Sequence, residues 1–446
     1  MASPVLVDAG AAAESAEGVR VAQDVAIASP CTASIVSLPA CAQGGCPTRA
    51  AVDWHCAGGG STVFVRPIRG GDRVGTFLAA SRAVVALDER ARVEAHGIPA
   101  SMATPFMNVE AERNAQLWLS ATSGTIPATL TTLTLERGQW TARLVDRHPR
   151  AGWVRGLFWR SPSSPWPQFY LQIPYAELVR FDPPSAPGEP WRAAAPVALQ
   201  ALTPQLAPDG TAWTVGWTAQ QSDAPSLARW TEQQPQLRRF AAVAADRHAD
   251  APQWLAPAGR RAHALVLVNA ADAVELHALH GDRDALVTRW LTLDAPSALI
   301  DRAVSCSARR ASAPPERPYI QVSRASVSLV GDPSGRAWVL FERRSGVERV
   351  RLEERCYPSS PGDQGPPHPC DCRERTEREP SASDLVVVDV SDAPRERWVH
   401  AIEGGYGPVG VSAAFSATNA IIVVLPLFRR DQREGHRVLW LDRARL

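Results

Sequence analysis

One short turn, repeated along the chain, constrains the fold more than any other feature. The stretch GDPSGRAWVLFERRSGVERVRLEE at 331–354 reads as strand, turn, strand, turn, strand. Before it, ASVSLV alternates and ends at Gly331. In DPSG, Pro333 pre-sets its own φ and Gly335 is free to take a positive φ. RAWVLFE is a second strand rich in aromatic and β-branched residues. RRSG turns the chain again, and VERVRLEE places Val347, Val350 and Leu352 roughly on one side. The same turn returns elsewhere. APDGTAW at 207–213 aligns Pro208, Gly210 and Trp213 with Pro333, Gly335 and Trp338. APAGRRAHALVLV at 256–268 supplies Gly259, and VSAAFSATNAIIVVL at 411–425 supplies Asn419, the next-best residue for positive φ. AERNAQLWL at 111–119 offers Asn114, GLFWRSPSSPWPQFYLQI at 156–173 a Ser/Pro turn, and FLAASRAVVALDE at 77–89 the earliest candidate.

The turn centres fall near 82, 114, 162, 210, 259, 335 and 419, with a step of about 48 from Asn114 to Gly259. Three or four strands per unit at that period, with turn signals throughout, predict an all-β chain folded as a single β-propeller of six or seven blades. The 446 residues suit a repeat fold and can bury a core without metal or disulfide. The expected layout is a flexible tether over 1–30, a cysteine-rich hairpin over 31–60, and the propeller over 61–446. Irregular insertions are expected at 301–319 and 357–384, where Pro, Ser and Arg accumulate and the repeat step lengthens.

DPSGRAWVLFERRSGVERV resembles the D-x-x-G-x-x-W repeat of propellers of the sensor-regulator and streptogramin-lyase type. The match covers one blade well and 207–217 in part. It implies that Asp332 and Gly335 shape the turn and that Trp338, with Trp213 in the matching place, packs between blades. Gly-His…Trp-Asp pairs and in-register Gly-Gly doublets are absent. The Thr-Gly that should precede the tryptophan-docking motif of quinone enzymes is missing, so no cofactor is expected.

Eight cysteines bear on compartment. Cys31, Cys41, Cys46 and Cys56 are symmetrically spaced, so folding about AQGG brings Cys41 opposite Cys46 and Cys31 opposite Cys56. TASIVSLPA is β-branched and carries Pro39, which favours a stapled β-hairpin over a helical one. Four cysteines allow three connectivities, of which the spacing favours the nested one. Cys306, Cys356, Cys370 and Cys372 lie in or beside the insertions. An even count in irregular segments reads as disulfides in an oxidising compartment. The sharper alternative is a metal site at HPCDC, with His368, Cys370, Cys372 and Cys356 as ligands, although C-x-C is a poor spacing for structural zinc.

The net charge of +1 gives no whole-molecule attraction for nucleic acid or an anionic membrane. No lysine occurs, so all 47 basic side chains are arginine, in keeping with a GC-rich genome. The longest apolar run, AIIVVLPLF at 420–428, is too short to span a bilayer. The first thirty residues lack a basic n-region and a sustained apolar h-region, and resemble the tether that follows a removed signal or lipid anchor. Chemistry leaves little local trace. No G-x-S-x-G, H-E-x-x-H or P-loop occurs. His277 and His280, three apart on a strand, would face opposite ways. The run CRERTEREP at 372–380 reads as a solvated loop. The expectation is an exported, non-enzymatic binding or scaffolding propeller for a protein or glycan partner, with no catalytic residue assigned and the oligomeric state open. The alternative is a lyase or hydrolase acting on a saccharide or lactone in the central channel.

Overall fold

The computed structural model describes residues 13–14, 19–38, 46–56, 65–104, 106–123, 125–150, 152–159, 164–173, 177–186, 189–198, 200–201, 205–206, 212–218, 221–230, 235–239, 254–258, 261–268, 273–280, 283–292, 303–304, 317–322, 327–332, 334–355, 371–391, 394–402, 412–416, 418–429 and 432–446. Seven antiparallel sheets of four to six strands are found among them. Blade 1 is Arg66–Pro67, Val74–Leu78, Ala83–Leu87 and Val93–Gly97. Blade 2 is Phe106–Arg113, Gln116–Thr122, Ala128–Glu136 and Gln139–His148, and blade 3 is Trp153–Phe158, Gln168–Ile173, Glu177–Asp182 and Arg192–Ala193. Blades 4 and 5 run through 200–239 and 254–292. Blade 6 is built on Ser328–Gly331, Ala337–Arg355, Asp371–Asp389 and Arg395–Ala401, and blade 7 on Ser412–Phe415, Ala420–Arg429 and Gln432–Asp442.

The first strand of each sheet touches the sheet before it, and Arg66–Pro67 of blade 1 meets Ser412–Phe415 of blade 7, so the seven sheets close into a ring. That closed succession of meanders is a β-propeller, at the upper of the two expected blade numbers. Both chain ends close it: Thr48–Cys56 pairs with Gln432–Asp442 as the fourth strand of blade 7, and Cys31–Ile35 adds a fifth. Asp53 and Arg437 form a bidentate ion pair across this seam, at 2.7 and 3.0 Å. The hairpin register sets Cys31 directly opposite Cys56, and the two form a disulfide. Cys46 is also disulfide-bonded, whereas Cys41 lies outside the described residues. Within 1–30, Val19–Gln23 pairs along the outer strand of blade 2, and Val25 exchanges backbone bonds with Gly97 of blade 1.

The core lies between blades. Trp338 and Leu340 pack with Ile421, Val423 and Leu439 of blade 7, while Ala337, Val339 and Phe341 lie on the other side of the same strand. This is the period-two alternation of a strand buried on both faces. In the turn before it, Gly335 takes φ +98° and donates to the Asp332 carbonyl, while the Asp332 carboxylate accepts from the Arg336 amide at 2.9 Å. Asn114 (φ +51°) and Asn419 (φ +67°) occupy the corresponding turns of blades 2 and 7. Gly210 and Gly259 lie outside the described residues. Trp213 is buried in the second strand of blade 4.

Two expectations need correction. The turn near 82 joins the second and third strands of blade 1, not the first and second. The corresponding turn is RGGDR at 69–73, where Gly70 has φ +76° and an added Cβ would sit 2.7 Å from the Glu112 carbonyl oxygen. It escapes the repeat pattern because the strand before it is only two residues long. The charged run 372–380 is not a loop: it lies in Asp371–Asp389, which pairs with Ala337–Arg355 along its length. The register sets Glu348 across from Arg378, Arg349 from Glu377, Glu353 from Arg373 and Arg355 from Asp371. Backbone pairing along this ladder holds residues of poor strand preference in the sheet. Arg317–Val322 and Ala303–Val304 pair with the same extension, so the two inserted regions meet in one sheet.

Candidate functional site

The turns joining first and second strands gather at one face of the ring. On that face RGGDR of blade 1, the blade 1 turn at 88–92 and the blade 2 turn at 112–115 surround a groove of about 480 Å³. Each wall has a local cause. Asp88 closes its turn by accepting from the Arg90 and Arg92 amides at 2.9 and 3.0 Å and from Arg92 Nε at 2.6 Å. Burial opposes its ionisation, but those hydrogen bonds outweigh it and hold the Asp88 carboxyl below its ordinary value. Arg73 donates to Glu112 at 2.8 Å and also pairs with Glu94. Burial pulls the Arg73 guanidinium down, yet the two carboxylates prevail and raise it. Glu89 pairs with Arg49 at 2.6 Å. Asp72 accepts from the Thr418 amide and hydroxyl at 3.0 and 2.7 Å, tying blade 1 to blade 7.

Arg113 joins this groove to an aromatic cluster between blades 2 and 3. Its guanidinium lies over the Trp159 ring at 5.1 Å, and Trp159 meets Trp118 edge-on at 5.2 Å. Trp166 contacts Trp118 and Trp191 edge-on, with Arg143 over its own ring at 4.4 Å. Trp118 and Trp191 are buried, whereas Trp159 and Trp166 are half-buried. On the first strands nearby, Arg69 pairs with Glu110 at 3.1 Å and stacks over Phe158 at 4.1 Å, while Ser120 donates to Glu110 at 2.8 Å.

This arrangement presents fixed donors and acceptors. Four arginines and four carboxylates line the groove, and among the described residues no cysteine, serine, threonine or histidine does. It can hold a polar ligand by many planar hydrogen bonds.

The residues singled out from sequence for chemistry lie elsewhere. Cys306, Cys356, His368 and Cys370 fall outside the described residues, and Cys372 lies on Asp371–Asp389 across from Val304 and Glu354. His277 and His280 are both on Ala273–His280. Of the groove residues the sequence marks only Asn114, and that for its backbone turn. GGD between arginines at 69–73 and D-x-x-x-R at 88–92 were the available signals, each only a turn on its own.

No family model matches the chain, and no curated protein matches it. Solved structures do resemble it at low identity. Virginiamycin B lyase from Staphylococcus aureus is 9% identical, covering 92% of this chain and 99% of its own, with a TM-score of 0.41. YCF48 from Cyanidioschyzon merolae is 9% identical over 92% of this chain and 98% of its own, at 0.43. Regucalcin, a calcium-binding protein from Agrobacterium tumefaciens, is 10% identical over 85% and 93%, at 0.33. These neighbours are propellers that include an enzyme and a binding protein. The fold of this chain rests on its own closed ring of seven sheets.

Proposed function

We propose that the protein is an exported, non-enzymatic β-propeller that binds a protein or glycan partner in the groove between blades 1 and 2. The observation that carries this reading is the groove itself. Arg73, Arg92 and Glu89 are held by ion pairs to Glu94 and Glu112, to Asp88 and to Arg49 before any ligand arrives, which reduces the ordering left to be done on binding. Its volume lies inside the range of about 300–1,000 Å³ common for ligand sites. Export is supported by the Cys31–Cys56 disulfide, since such bonds persist in oxidising compartments. A tether before residue 13 would place the ring at a membrane or wall surface.

The test is retention on a washed envelope fraction from the source organism, comparing the native chain with an Arg90→Glu, Arg113→Glu double variant. Retention should fall at least tenfold while thermal unfolding is unchanged. Equal retention by both would reject the groove as the binding surface, and release of a cleaved product from the envelope would favour the enzyme alternative.

A further inference from the structure

We infer that the ligand of the groove is a neutral oligosaccharide, a step that rests on the binding reading above and names its substrate class. Sites for protein partners centre on a dry aromatic or aliphatic anchor, and most small-molecule sites are lined mainly by apolar side chains. This groove has neither. Glycine backbone, guanidinium, carboxylate and the Asn114 amide make its walls, with Ala115 at one end. That surface would leave the desolvation of its own polar groups uncompensated by an apolar ligand, whereas a sugar carries a hydroxyl on nearly every carbon. Vicinal hydroxyls match a carboxylate or guanidinium edge two at a time, each hydroxyl both donating and accepting.

Charge narrows the class further. The lining holds Arg73, Arg90, Arg92 and Arg113 against four acids, and most of these acids already face an arginine. A polyanion such as a sulfated chain would meet as much repulsion as attraction, and a neutral chain meets neither. Glu112, paired with Arg73 through Oε2, retains lone pairs on Oε1 for a hydroxyl. Arg113 lines the groove and lies over the Trp159 ring, a contact that limits its freedom to move. The groove is open and lined from two blades, which suits a short stretch of chain better than a single enclosed monosaccharide.

The experiment titrates the full chain with maltose, cellobiose, chitobiose and mannobiose, and with a sulfated heparin disaccharide, by saturation-transfer NMR and calorimetry. At least one neutral disaccharide should bind saturably. Arg113→Ala and Trp159→Ala should each weaken it at least tenfold, and Arg90→Ala, which removes an exposed side chain, at least threefold with no change in thermal unfolding. Binding of the sulfated disaccharide alone, or neutral binding unaffected by Arg90→Ala and Arg113→Ala, would overturn the inference. If no sugar binds while envelope retention still depends on Arg90 and Arg113, the saccharide class falls and the binding reading stands. If retention is also insensitive to them, both fall.

Discussion

Asp389 ends the third strand of blade 6 and organises the turn after it. It accepts from the Ser391 hydroxyl and amide at 2.6 and 3.1 Å, and from Arg336 and Arg397 at 2.9 and 3.2 Å. Burial works against its ionisation, but the bonds from Ser391 and then Arg336 outweigh it and bring the carboxyl down from 3.8 to about 2. A depressed carboxyl stabilises the fold above its unfolded value, and that stability drains away as pH falls from about 4 through about 2. Asp389→Asn should cost about 2 kcal/mol at pH 7 and flatten the pH dependence of urea unfolding between 4 and 2. An unchanged slope would show that another acid controls that window. Trp338, wholly buried between blades 6 and 7, should cost about 3–5 kcal/mol when cut to alanine, read by the urea midpoint. At this scale the sequence was readable where a residue type answers to a backbone need. Asn114, Gly335 and Asn419 stand at positive φ, which few other residues tolerate. It was unreadable at the groove, whose arginines and acids are ordinary turn residues until three turns from two blades meet.

Among the elements, blade 6 shows how local preference can mislead. Glu and Arg at 372–380 argue against a strand, yet that segment pairs along its length with 346–355, a partner that local sequence does not display. Pro380 and the alternating charges also blunt the edge of an extension that would otherwise invite another chain to pair with it. The four strands that complete blade 6 in the ring end at 345 and resume at 381. Replacing 346–380 with a two-residue Asn-Gly turn should therefore leave the ring folded, with the melting temperature within a few degrees of native. Loss of the cooperative transition would show that the extension is part of the core. The N-terminal hairpin behaves oppositely. The symmetric cysteine spacing announced it, because antiparallel pairing is symmetric about its turn. Closing 25 residues of sequence separation, the Cys31–Cys56 bond should contribute about 3 kcal/mol, measured by comparing the Cys31→Ser, Cys56→Ser variant in urea.

For the whole molecule, stability depends on a seam that no local pattern marks, since its two sides lie nearly four hundred residues apart in sequence. The repeat period implied a ring, but it could not say which strands would complete the last blade. Asp53→Ala removes the bidentate partner of Arg437 across the seam and should destabilise it, with faster amide exchange confined first to 48–56 and 432–442. Exchange that rises evenly around the ring would mean the blades open together. The placement of the disulfide has a mechanical consequence. A pull on the N-terminal end first parts Ala13–Glu14 from Val19–Gln23 and then peels Val19–Gln23 from blade 2. The force then arrives at Cys31, where the covalent link passes it straight to Cys56 and the intervening chain cannot extend. The seam is thus loaded from the Cys56 end with no slack, and the hairpin acts as a fixed stop on how far the N-terminal end can be drawn from the ring before the ring opens.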